Sequence, residues 1–197
     1  MGTERFEELA VWASARNGDA AAFADLFDLH RDRVFRQALR LTRSQHDAED
    51  ITAATFYELW RRRDAVRIVE NSVIAWLLVT TNNVARNVSR SRTRHRALLD
   101  RLPREDDRGA EAFEAVDARI DSERATQKIR SALAQLSIAD QNVITLCVIE
   151  ELPTAEAARV LNIPAGTVKS RLSRAKARLA VRADLLHAEG SLTGGAQ

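Results

Sequence analysis

The residues best suited to chemistry lie between Leu152 and Leu179, and that chemistry is polyanion recognition. From Ala165 to Val181 the chain carries no acid. Thr167, Lys169, Ser170, Arg171, Ser173, Arg174, Lys176 and Arg178 alternate there with Val168, Leu172, Ala175 and Leu179 at helical spacing. One face of such a helix can pack while the other offers hydroxyls, ammoniums and guanidiniums to base edges and phosphates. A second basic run begins at Arg86 and continues through Arg90, Arg92, Arg94, Arg96 and Arg101. The one compact acidic group beside structured sequence is Asp47, Glu49 and Asp50. A metal-dependent nuclease would need clustered carboxylates, but these three fall in a first helical turn, where the helix dipole favours negative charge. No catalytic residues, metal site or cofactor are expected.

The elements that must position these groups read as helices throughout. The chain has 197 residues with only 7 Gly and 3 Pro, and alternating apolar and polar runs are few. A first helix is expected from Glu7 to Asn17, ended by Gly18. A second starts near Asp19 and carries an apolar stripe of Phe23, Leu26, Phe27, His30, Val34 and Leu41. Ser44 is placed to cap a third, with Asp47 three positions on in a box-like arrangement; that helix continues to Arg61-Arg62-Arg63. A fourth is expected from about Asn71. Composition changes after Pro103, where acids dominate as far as Glu123. Ile120, Ile129, Leu133 and Leu136 mark one face of another helix, and Ser137 with Asp140 opens the next. Val143 to Ile149 is rich in β-branched residues, but no second strand is at hand to pair with it, so helix is expected. A short helix from Ala155 to Leu161, a turn at Asn162-Ile163-Pro164 and a last helix from Ala165 to Leu186 complete a helix-turn-helix. The tail from Gly190 is expected to be disordered. The predicted architecture is therefore all-α: two small helical domains, 1–101 and 125–188, joined by a flexible acidic linker at 102–124, with a tail at 189–197.

Bulk composition sets the class. The chain is 45% hydrophobic and 29% charged, enough for packed cores. No uninterrupted apolar stretch reaches the roughly 18 residues that a membrane span requires, so no membrane insertion is expected. The N-terminal residues lack the apolar segment of a signal peptide, which predicts a cytoplasmic protein. A single cysteine, Cys147, excludes an internal disulfide framework, and four scattered histidines show no ligand spacing. Net charge is only +2 and the pI about 9.1, so it is the sorting of charge into blocks that points to nucleic acid. A stand-alone helix-turn-helix regulator would also satisfy the C-terminal pattern. It would need a sensory domain, and the first hundred residues show no βα alternation to build one.

Two separate motif sets carry a family resemblance. The run Ile163-Pro164-Ala165-Gly166-Thr167-Val168-Lys169-Ser170-Arg171-Leu172-Ser173-Arg174-Ala175-Lys176 resembles the region-four recognition helix of extracytoplasmic function sigma factors of bacterial RNA polymerase. Asp47-Ala48-Glu49-Asp50-Ile51-Thr52, then Thr55-Phe56 and Leu59-Trp60-Arg61, resembles the region-two helix of the same family that docks on the polymerase clamp. Trp76-Leu77-Leu78 through Asn83, Ala85, Arg86 and Asn87 resembles the region-two segment that melts the downstream promoter element.

The resemblance implies an alternative sigma factor. Its partners would be core RNA polymerase and promoter DNA, with an anti-sigma factor as a common third. The upstream element would be contacted by Thr167, Lys169, Ser170, Arg171, Ser173, Arg174 and Arg178. The downstream element would be contacted by Asn83, Arg86, Asn87, Arg90, Arg92 and Arg94. In the family, the residue matching Asn83 lies in a loop that accepts a base turned out of the stack. The polymerase would be bound by Asp47, Glu49, Asp50, Thr52, Phe56 and Trp60. This chain departs from the family at Ala53 and Ala54, where Gln and Glu are usual, and at Val79, where many relatives are basic.

Overall fold

A computed structural model of the chain describes residues 2–42, 44–99, 131–133 and 135–192. The expected acidic linker at 102–124, Arg101 and residues 193–197 of the expected tail lie outside the described residues. The described residues form seven α-helices: α1 (Gly2–Arg16), α2 (Ala20–Leu41), α3 (Gln45–Arg61), α4 (Ile74–Leu99), α5 (Ile138–Ile144), α6 (Thr154–Leu161) and α7 (Ala165–Leu192). A short 3₁₀ turn, Arg63–Ala65, follows α3, and residues 131–133 are helical.

Local chemistry explains most boundaries. Gly18 takes a left-handed φ of 99°, which ends α1. The Asp19 carboxylate then accepts from the N–H groups of Ala21 and Ala22 at 2.9 and 3.2 Å and starts α2. Ser44 and Ser137 cap α3 and α5 in the same way, each accepting the N–H three residues on. Asn162 is left-handed (φ 55°), and Ile163 N–H returns to the Ala158 carbonyl, closing α6 before the turn into α7.

Three boundaries differ from expectation by three residues or more. Helix α1 begins at Gly2 rather than Glu7. Helix α4 begins at Ile74 rather than Asn71, because Glu70 and Asn71 both have positive φ in a tight loop pinned by a Val69–Ser72 bridge. Helix α7 runs to Leu192, past the expected stop at Leu186; a lone Gly190 costs a helix only about 1 kcal/mol and does not end it.

The segment expected as helix from Val143 to Ile149 is helical, but from Thr145 to Ile149 it widens into a π-turn. Glu150 N–H there reaches the Thr145 carbonyl at 3.0 Å, five residues back.

Helices α1 to α4 enclose one core around Trp12, Leu26, Val34, Phe56, Leu59, Leu77 and Leu78. Phe23, Phe27, Phe56 and Trp60 stack edge to face within it, with Phe27 and Phe56 centroids 4.7 Å apart. A second cluster holds α5 to α7 together through Val143, Leu146, Ala157, Val160 and Val168. This cluster also takes in Val69 and Ala75 from the N-terminal half, so the two halves share a packed surface.

Candidate nucleic-acid and polymerase interface

Helix α7 is anchored through Val168 and Ala175, both fully buried, and through half-buried Leu172 and Leu179. That anchorage turns Lys169, Ser170, Ser173 and Arg174 to solvent. Thr167 and Arg171 are half-buried at the edges of this face. Ser170 donates its hydroxyl to the Thr167 carbonyl at 3.0 Å, and Arg174 Nε reaches the Ser170 carbonyl at 3.3 Å, so the basic face is held in order along the helix. Arg178 is exposed but committed: it donates to the buried Asp140 carboxylate at 3.0 Å.

On α4 the turn of 3.6 residues brings Asn83, Asn87, Arg90 and Arg94 into one exposed stripe, with half-buried Arg86 beside it. Asn83 is not in a loop. It sits in the middle of α4, and the nearest loop is the one at 66–73 that carries Glu70 and Asn71. Arg92 departs from the stripe altogether. It points back to α3 and binds both oxygens of Asp47 in a two-pronged ion pair. The carboxylate holds the Arg92 proton more tightly than usual, first through the hydrogen bonds and then through the charge.

The expected polymerase face of α3 divides in the same way. Glu49 and Asp50 are exposed. Asp47 is 4% exposed and occupied by Arg92. Thr52 is buried and donates to the Ala48 carbonyl at 2.7 Å. Phe56 belongs to the core. Trp60 is half-buried between Phe23 and the Arg63 guanidinium, which lies 4.9 Å from its ring. Of the residues that the sequence assigns to the docking surface, Asp47, Thr52 and Phe56 are therefore buried in the chain by itself and Trp60 is half-buried. The exposed ridge of α3 is instead His46, Asp50, Ala53 and Tyr57, spaced three to four residues apart. Tyr57, 64% exposed, was missed in the sequence, although its place four residues after Ala53 marked it.

A further group was also missed. Asn82, Gln37, Asn142 and Thr145 are all buried and bonded to one another across the junction of the two halves. Asn82 Nδ2 donates to Asn142 Oδ1 at 2.8 Å and Thr145 Oγ1 at 3.0 Å, and Gln37 Nε2 donates to Asn82 Oδ1 at 2.7 Å. Arg33 pairs with Glu150, and Arg67 donates to the Arg159 carbonyl, at the rim of the same junction. The sequence signal was an amide on a buried stripe: Asn82 follows Ala75 and Leu78 at helical spacing.

Among the described residues no cluster of His, Cys, Asp and Glu could hold a metal ion, and no helix is long and apolar enough to cross a membrane. Two family descriptions match the chain in order: Sigma-70 region 2 over residues 26–95 and Sigma-70, region 4 over 126–179. The chain is similar to the ECF RNA polymerase sigma factor SigE of Mycolicibacterium smegmatis, with 34% identity over 82% of this chain and 63% of that one. It is also similar to SigL of Mycobacterium tuberculosis (31% identity, 83% and 90%) and SigW of Bacillus subtilis (28%, 83% and 90%). Its fold is like that of CnrH, solved in complex with the cytosolic domain of CnrY, with a TM-score of 0.61 and 22% identity over 90% of this chain and 97% of that one. A helix-turn-helix alone left a stand-alone regulator open, but a region-two match ahead of a region-four match does not. The chain therefore belongs to the ECF sigma factors of RNA polymerase, which are initiation factors and not enzymes.

Proposed function

We propose that this sigma factor divides its work among three exposed surfaces. Lys169, Ser170, Ser173 and Arg174 of α7, flanked by Thr167 and Arg171, read the upstream promoter element as duplex. Asn83, Asn87, Arg90 and Arg94 of α4, with Arg86, hold the downstream element as a single strand: amides meet base edges and guanidiniums meet the backbone. Asp50 and Tyr57 on the α3 ridge, with Glu49 beside it, dock the core polymerase. The observation that carries this reading is the pair of separate cationic, hydrogen-bonding stripes on α4 and α7, turned outward along α7 and at the Asn83–Asn87 part of α4 by a buried opposite face.

The protein works in the cytoplasm, where core polymerase and DNA are available. An anti-sigma factor is a further partner, as NepR is for the sigma factor RpoE of Bartonella quintana in a solved complex of similar fold. Free of polymerase, the chain binds promoter duplex weakly, because the contact between its halves and the acidic stretch at 102–124 both oppose simultaneous engagement of two DNA elements.

Run-off transcription tests the reading. The purified chain is added to sigma-free core polymerase on fragmented DNA from its own organism. Discrete new transcripts are expected, and they should disappear when Lys169, Arg171 and Arg174 are changed to Ala. Silence from the chain, beside transcripts from a control sigma factor, would overturn it.

A further inference from the structure

Both halves of the chain repeat one local construction that the DNA-reading surfaces do not use. In each, a serine caps a helix and its hydroxyl accepts the N–H of an aspartate three residues on: Ser44 for Asp47 at 3.3 Å, Ser137 for Asp140 at 3.1 Å. In a full capping box the acid would reach back to the cap. Here neither aspartate is bonded to its cap through its side chain. Both are buried, at 4% and 7% exposure, and each receives one arginine from the long basic helix of its own domain. Asp47 on α3 holds Arg92 of α4, and Asp140 on α5 holds Arg178 of α7.

The placement of Arg92 argues against a DNA contact, whereas Arg178 lies only about 40° from Arg174 on α7 and is committed instead by its bond to Asp140. At about 100° per residue, Asn83, Asn87, Arg90 and Arg94 fall within about 60° of one another on α4. On the same count Arg92 lies about 180° from Asn83. The described side chains of residues 89–94 are all exposed, so among the described side chains of this helix Val88 is the last in apolar packing. The Asp47–Arg92 pair lies one turn beyond that point and ties the basic end of α4 to α3. On α7, Arg178 makes the corresponding tie just past buried Ala175.

We propose that Asp47 and Asp140 are positioning residues for the two DNA-facing helices, acting through Arg92 and Arg178, and that these two arginines do not bind phosphates. The inference rests on the sigma-factor reading above, because the helices they set are the ones assigned to the two promoter elements.

The test is a double-mutant cycle on promoter binding by the reconstituted holoenzyme, titrated with salt. D47N, R92A and the double variant should each weaken binding by about five-fold, the double no worse than the singles, since all three remove one pair. R92K keeps the charge but loses the two-pronged geometry, and should behave like R92A. The salt dependence should keep its wild-type slope in every variant. D140N, R178A and R178K should repeat the pattern at the upstream element. A phosphate contact would give the opposite result: R92A would lower the slope by about 0.7 to 0.9, R92K would match wild type and D47N would be neutral. That outcome, or a double variant much weaker than either single, would overturn the proposal. The same cycle run on thermal unfolding of the free chain separates the two ideas. Zero coupling there would sink the ion-pair tie, whereas a wild-type holoenzyme that formed no promoter complex would sink the sigma-factor reading itself.

Discussion

At the scale of single residues, neighbours on α3 divide their labour by direction alone. Phe56 and Tyr57 are adjacent aromatics, one 3% and the other 64% exposed. Phe56 stacks on Phe27 and fills the N-terminal core. Truncating it to Ala should cost about 3–5 kcal/mol of stability, visible as a lowered denaturant midpoint. Tyr57→Ala should leave that midpoint in place and weaken binding to core polymerase by about ten-fold or more, as aromatic anchors at interfaces do; fluorescence anisotropy with labelled chain would measure it. The same rule of direction separates Arg94, on the stripe with Asn83, from Arg92, which points back to Asp47.

At the scale of elements, α1 packs into the core through Trp12 and is also tied to the rest of its domain by one buried carboxylate. Glu8 Oε1 accepts from His30 Nε2 at 2.9 Å, Ser72 Oγ at 2.9 Å and Val73 N–H at 2.8 Å. These donors tie α1 to α2 and to the loop that leads into α4. Burial by itself would raise the Glu8 pKa, but the bond and charge of His30, followed by Val73 and Ser72, outweigh it and hold the carboxyl below its usual value. A folded pKa below the unfolded one means that the stabilisation is fully present above the ordinary glutamate range, near pH 4.3. It is lost as pH falls through the folded value. Urea unfolding followed from pH 7 to pH 3 should show that acid-side loss, and Glu8→Gln should flatten it. Glu8→Ala should cost about 2 kcal/mol or more at neutral pH, because three buried donors lose their acceptor.

At the scale of the whole molecule, the junction between the halves is part apolar and part amide. Val69 and Ala75 pack with Val143 and Leu146, while Gln37, Asn82, Asn142 and Thr145 bond across the seam. Such a seam is specific when closed, yet its amides recover water partners when it opens, which suits halves that must reach two DNA elements. Cys147, the single cysteine of the chain, packs against the shared cluster, and burial pushes its thiol pKa up, against a smaller lowering by Lys176. It is a native reporter of opening. Asn82→Ala removes three hydrogen bonds, to Gln37, Asn142 and Thr145, worth about 1 kcal/mol each, and should speed labelling of Cys147 by a thiol reagent at fixed pH. Core polymerase should do the same to the wild-type chain. Unchanged rates in both would mean that the amides do not hold the seam.

Much of this was legible from the residues in order. Low Gly and Pro content and 3.6-residue periodicity determined an all-helical chain, Ser44 and Ser137 marked two helix starts, and the acid-free run from Ala165 to Val181 determined a basic face with an apolar back. These are local properties, set by side chains within a turn or two of one another. What only the tertiary structure decided was the fate of groups that meet at long range. Asp47 reads as an exposed acid until Arg92 arrives 45 residues later. Asn82 reads as one of two equivalent amides until Asn142 and Thr145 claim it. The loop geometry at Glu70 and Asn71 likewise moved the start of α4 to Ile74. Periodicity gives the direction in which a side chain points. Whether solvent, a counter-ion or another helix waits there depends on how the helices pack, and that is not a local quantity.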